Sequence, residues 1–154
     1  MLKPVHIRQA RERDFEAMTE VWYRAVKPTH SFLTDSDIEG YRARIPTEVF
    51  PAVPEIWAAT GEDDEILGFI GMDGDEVGML FVDSEHQAQG VGTALVDLVT
   101  EGRPVLEVEV NEQASQAVAF YQKVGFEETS RSPLDGDGNP FPLLRMKRQG
   151  VDSV

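Results

Sequence analysis

Val77-Gly78-Met79-Leu80-Phe81-Val82-Asp83-Ser84-Glu85-His86-Gln87-Ala88-Gln89-Gly90-Val91-Gly92-Thr93-Ala94-Leu95 is the stretch that decides the fold of this 154-residue chain. Its first six residues are an apolar run that reads as a strand, and Asp83 to His86 form a short polar connector. Gln87 to Thr93 then leads into a helical run that carries Ala94, Leu95, Leu98 and Val99. A strand feeding a glycine-containing turn at a helix start is suited to an anion. The first-turn N–H groups have no helical acceptor, and the helix dipole places partial positive charge there. Gly90 and Gly92 carry no Cβ, so a phosphate group can approach the backbone closely. A tight turn that holds nothing has the same spacing, and the rest of the chain must decide between the two.

C-terminal to this stretch, Glu101-Gly102-Arg103-Pro104 is a helix stop, and Val105 to Val110 alternates as a strand. Ser115 is expected to cap a helix through Ala117, Val118, Phe120, Tyr121 and Val124, closed by Gly125. Phe126–Arg131 and Phe141–Met146 read as two last strands around a loop rich in Pro, Asp and Gly. On the N-terminal side, Val5–Arg8 is a first strand. Asp14 is expected to cap a helix with Phe15, Met18, Trp22, Ala25 and Val26 on its apolar side, ended by Pro28. Thr34 or Ser36 should cap a second helical segment through Ile38, Tyr41 and Ile45; Pro46, Pro51 and Pro54 then break the chain into a short turn or loop. Ile56–Thr60 and Ile66–Met72 are strands joined by a hairpin loop, Gly61–Glu65. Hairpins near both ends with helical crossovers between them predict a mixed α/β architecture in one domain over residues 1–154, with a frayed tail from residue 148.

Composition narrows the function classes. Against 14 Lys and Arg stand 28 Asp and Glu, a formal charge of −14. Such a chain repels polyphosphate backbones, which argues against a nucleic-acid partner, and it favours cationic or amine-bearing ones. There is no cysteine, hence no disulfide framework, thiolate metal site or cysteine nucleophile. No apolar run approaches the ~18 residues of a membrane span, and the N-terminus lacks a signal-peptide core, so the expectation is a cytoplasmic protein with no membrane partner. His6, His30 and His86 show no metal spacing. Asp135-Gly136-Asp137-Gly138-Asn139 begins like a calcium loop, but Pro140 and Met146 stand where that loop needs Gly and Glu.

Gln87-x-x-Gly90-x-Gly92 resembles the Q/R-x-x-G-x-G/A signature of the GCN5-related N-acetyltransferases, the GNAT family. Asn111, then Ala117-Val118-Ala119-Phe120-Tyr121-Gln122-Lys123-Val124-Gly125-Phe126, is similar to that family's N-x-x-A-x-x-F-Y-x-K-x-G-F region and comes in the right order. With Thr29-His30-x-Phe32-Leu33 and the ending around Pro140-x-Pro142-Leu143-Leu144, residues 5 to 147 resemble the small bacterial YjaB-type members. The resemblance implies six to seven strands in a mixed, mostly antiparallel sheet, the fourth and fifth splayed apart, flanked by about four helices. It also implies acetyl-CoA as co-substrate without a metal, and an amine acceptor, small molecule or peptide, that attacks directly in a ternary complex. Phe81 and Val82 would offer backbone groups to the pantetheine arm, and Gln87, Ala88, Gln89, Gly90, Val91, Gly92 and Thr93 would hold the diphosphate. Tyr121 would protonate the departing thiolate; a phenol with pKa near 10 suits that leaving group. A monomer or homodimer is expected.

The chain departs from the family at Ala114, seven residues before the tyrosine, where an asparagine is usual. Asn111 either takes a related cofactor role or only ends a strand in a turn. The acceptor must attack as a neutral amine. The resemblance implies Glu76, ranked first, for removing its proton, since histone-type members carry a glutamate eleven residues before the motif glutamine. It also implies Glu109 on the next strand, where some members place one. His30, whose imidazole titrates near neutrality, is the third candidate. Either glutamate also reads as a solvated strand-edge carboxylate, and a loop histidine with an aromatic neighbour is more often structural than catalytic. Ala114 and the lack of a clear base also fit a non-catalytic acyl-CoA-binding domain of the same fold, and transfer of a different acyl group is a third reading.

Overall fold

The computed structural model describes residues 5–27, 34–83 and 90–150. Seven strands run through them: β1 His6–Gln9, β2 Glu55–Thr60, β3 Ile66–Asp73, β4 Glu76–Val82, β5 Val105–Asn111, β6 Glu127–Ser132 and β7 Leu143–Gln149. Four α-helices accompany them: α1 Phe15–Val26, α2 Asp35–Arg44, α3 Val91–Thr100 and α4 Ser115–Lys123. The strands form one sheet in the order β1-β2-β3-β4-β5-β7-β6. The β1–β2, β2–β3, β5–β7 and β6–β7 ladders are antiparallel, and β4–β5 is parallel. That parallel ladder covers only Glu76↔Glu107 and Val77↔Val108, the splay of the fourth and fifth strands that the family resemblance implied. The chain divides into two compact units, Met1–Asp73 with Met79–Leu95, and Gly74–Gly78 with Val96–Val154.

In the first unit, Met18, Val21, Trp22 and Val26 line one side of α1 at helical spacing and are buried. They share a core with Ile38, Phe50, Ile56, Ala58 and Phe69. Phe50 sits between Phe15 and Phe69, at ring-centre distances of 5.3 and 5.4 Å. Thr34 caps α2: its hydroxyl accepts from the Asp37 N–H at 3.0 Å, while the Asp37 carboxylate accepts from the Thr34 N–H at 3.1 Å. Asp14 does not cap α1 as the sequence suggested. Arg8 draws its carboxylate back, donating at 2.8 and 2.9 Å, and the Arg11 N–H adds a third bond at 2.8 Å. A charge-assisted fork outcompetes a helix N–H. The same guanidinium reaches Asp64 at 3.0 and 3.1 Å, tying the β2–β3 turn to the start of the helix.

In the second unit, Leu106, Val108 and Val110 on β5 and Leu144 and Met146 on β7 are buried, while the residues between them face outward. Opposite charges meet across that outer side, Glu109 with Arg145 at 2.8 Å and Glu107 with Lys147 at 3.3 Å. Arg148 and Gln149, expected in a frayed tail, instead pair with Leu106 and Val105; residues 151–154 lie outside the described residues. Helix α4 is also capped differently from the expectation. Ala114 occupies the N-cap with no side-chain bond, and Ser115 is already the first helical residue. The chain enters α4 out of a turn built by Asn111, whose Oδ1 accepts from Gln113 N–H at 2.8 Å and whose carbonyl accepts from Ala114 N–H at 2.9 Å.

Candidate active site

The expected anion-binding amides lie at the start of α3. Gly90 is exposed with φ +77°, a left-handed conformation that side chains rarely adopt, and its carbonyl accepts the first helical bond from Ala94 N–H at 3.0 Å. A Cβ built there meets no atom within 4 Å, so open space and the backbone turn, not packing, account for the glycine. Among the described residues nothing accepts from the N–H groups of Val91, Gly92 and Thr93. Val91 is wholly buried and anchors the helix, whereas Thr93 is exposed. These features fit a diphosphate: amides with no acceptor among the described residues, partial positive charge, and open space at Gly90. Gln87, Ala88 and Gln89, and likewise His30 and His86, lie outside the described residues.

Upstream, Phe81 and Val82 end β4 half-buried, and the Phe81 ring packs against Phe69 with centres 5.8 Å apart. The next residue, Asp83, is one that sequence reasoning missed. It is 3% exposed, its N–H donates to the Leu67 carbonyl at 2.8 Å, and Arg24 of α1 meets its carboxylate at 2.7 Å. Gly68 beside Leu67 is equally constrained: a Cβ there would stand 2.9 Å from the Phe81 carbonyl oxygen and 3.1 Å from Val91 Cγ1. A glycine interrupting a strand pattern was the available signal for such a close approach.

Tyr121 belongs to the second unit, on α4. Its ring is buried between Phe120 and Phe126, at 5.4 and 5.2 Å, and its carbonyl accepts from Phe126 N–H at 2.9 Å. Burial pushes the phenol above its ordinary pKa, so the hydroxyl keeps its proton throughout the neutral range. Asn111 commits Oδ1 to the turn before α4.

The carboxylates differ in engagement. Glu109 is bonded by Arg145 at 2.8 Å and lines, with it, a cavity of about 100 Å³ that Ser130, Arg131, Ser132 and Leu143 complete. Glu76 opens β4, half-buried, and no ion pair engages it among the described residues. A larger cavity of about 530 Å³ lies between α1 and the β2–β3 turn and includes neither Gly90 to Thr93 nor Tyr121. Among the described residues no three His, Asp or Glu side chains gather as a metal site.

The family profile described as "Acetyltransferase (GNAT) domain" matches residues 38–148. The chain belongs to the GNAT acetyltransferases, enzymes that move an acetyl group from acetyl-CoA to an amine. Among its relatives is the peptidyl-lysine N-acetyltransferase YjaB of Salmonella typhimurium, 38% identical over 144 residues, which are 92% of this chain and 97% of that protein. The solution structure of apo-form YjaB from Escherichia coli superimposes with a TM-score of 0.84 at 36% identity, covering 97% of this chain and 100% of that one. At the level of fold alone, the PaiA N-acetyltransferase of Thermoplasma acidophilum, solved in complex with coenzyme A, aligns at TM-score 0.75 and 20% identity, over 96% of this chain and 99% of that one. None of these relatives favours the non-catalytic alternative.

Proposed function

We propose that this enzyme acetylates the ε-amine of lysine in peptides or proteins of the cytoplasm. The observation that carries the acceptor is the 38% identity, over 92% of the chain, to a peptidyl-lysine N-acetyltransferase. The opening of α3 at Gly90 supports the donor side, with the amides of Gly90, Val91, Gly92 and Thr93 receiving the diphosphate beside Gln87, Ala88 and Gln89. Phe81 and Val82 supply backbone contacts to the pantetheine arm.

The chemistry is a single displacement. The neutral amine nitrogen forms a bond to the thioester carbonyl carbon, and the C–S bond breaks as the tetrahedral intermediate collapses. Glu76 takes the ammonium proton; its lack of an ion pair among the described residues supports it ahead of Glu109, whose carboxylate Arg145 already holds. Tyr121 gives its proton to the departing sulfur, and its place in the Phe120-Tyr121-x-Lys123-x-Gly125-Phe126 pattern supports that role. Asn111 orders the entry to α4.

Thiol release from acetyl-CoA, measured with lysine peptides, the same peptides acetylated on lysine, and polyamines, tests the acceptor. Release that requires the free ε-amine is expected. Release with polyamines alone would overturn the peptide assignment while leaving acetyl transfer in place.

A further inference from the structure

Two neighbouring residues of β3 grip both ends of the donor loop. Leu67 accepts the Asp83 N–H at 2.8 Å where the chain leaves β4. Gly68 leaves room for Val91, the first residue of α3, and for the Phe81 carbonyl; the contacts of 3.1 and 2.9 Å that a Cβ would make there exclude any larger residue without a shift. The Asp83 end carries a second tie. Its carboxylate is 4% exposed, and Arg24 reaches it from α1 with Nη2 at 2.7 Å and Nε at 3.4 Å, from a side chain that is itself 43% exposed. A carboxylate this deep needs an opposite charge and filled lone pairs. An arginine supplies both in a planar fork that also fixes orientation, which a lysine does not.

We propose that Arg24 is a positioning residue for the acyl donor: through Asp83 it fixes where β4 ends, and with Gly68 it holds the first amides of α3 where the diphosphate binds. The inference rests on the reading that those amides receive the diphosphate. Arg24 touches no reacting atom. Its effect is on nucleotide binding and not on the displacement itself, so donors with and without a diphosphate respond differently to its loss.

The test compares acetyl-CoA with acetyl-pantetheine, which has the same thioester but no diphosphate, on the full chain with one lysine peptide. In Arg24→Gln the acetyl-CoA KM and the calorimetric Kd for coenzyme A should rise about tenfold, the scale expected for a slight misplacement of binding groups. The kcat at saturation and the kcat/KM for acetyl-pantetheine should stay within about twofold. Arg24→Lys should fall between, because the charge survives and the fork is lost. The double variant Arg24→Gln, Asp83→Asn leaves no lone buried carboxylate, guards against simple unfolding, and should still bind coenzyme A weakly. Equal losses on both donors, or an unchanged Kd in the double variant, would overturn the assignment. A wild type that binds coenzyme A no better than pantetheine would instead overturn the diphosphate reading itself.

Discussion

At the scale of single residues, the account turns on a phenol and a glycine. Tyr121 is buried among aromatic rings, and no described residue hydrogen-bonds its hydroxyl. Removing that oxygen should therefore cost little stability, because no bond is broken. Tyr121→Phe should lower kcat roughly 10²-fold, at the lower end of what general acid catalysis contributes. Its melting temperature and coenzyme A affinity should match the wild type, and an unchanged kcat would remove Tyr121 from the acid role. Tyr121 and Gly90 were both legible in the sequence because each sits in a local pattern. Arg24 and Asp83 were not, since they are 59 positions apart and only the folded α1 and β4 bring them together. The retraction of Asp14 by Arg8 was hidden for a related reason. Capping rules describe a helix end alone, whereas here a guanidinium from β1 competes for the carboxylate.

At the scale of elements, α1 and β5 arise from apolar periodicity and β3 from an unbroken apolar run, whereas α2 buries Ile38 alone and starts from the Thr34 capping box. Gly74, Gly102 and Gly125 turn the chain between elements at positive φ. The turn between β2 and β3 is the exception. Asp63 and Asp64 both take positive φ, 56° and 60°, whereas Gly61, the glycine of this turn, has φ −108°. Aspartate tolerates that region better than most residues, and Arg8 holds Asp64 there. The start of α4 offers a direct test of local design. Ala114 leaves the first N–H groups of α4 without a side-chain acceptor. Ala114→Ser should stabilise the protein by about 1 kcal/mol, the usual difference between these residues at an N-cap. A denaturant midpoint that rises with an unchanged slope would show it; a lower midpoint would mean that the turn at Asn111 has no room for a capping rotamer.

At the scale of the whole molecule, two buried titrating groups set opposite limits on stability. The Arg8 hydrogen bonds hold the Asp14 carboxyl below the usual carboxylate range. Its contribution is present above the unfolded value of about 4 and is lost as pH falls below that. Tyr121 is raised, so its contribution is full below about pH 10 and is lost as pH climbs beyond it. Stability from denaturant titrations should form a plateau between these limbs; Arg8→Gln should lower the plateau and flatten the acid limb, and Tyr121→Phe should flatten the alkaline one. The formal charge of −14 acts over longer range. It should draw lysine-rich peptides in, so their KM should rise with added salt while that of a peptide with one lysine and no net charge stays nearly constant.

The most direct test of the central claim is calorimetric titration of coenzyme A into the wild type and into Gly90→Ala. The substitution sets a Cβ on a left-handed residue in open space, so the fold should lose only about 1 kcal/mol. Saturable binding by the wild type and affinity at least tenfold weaker in the folded variant are the predicted results, as expected when a side chain intrudes where anion and backbone must meet. Equal affinity in the two proteins would contradict the claim that the first amides of α3 hold the diphosphate.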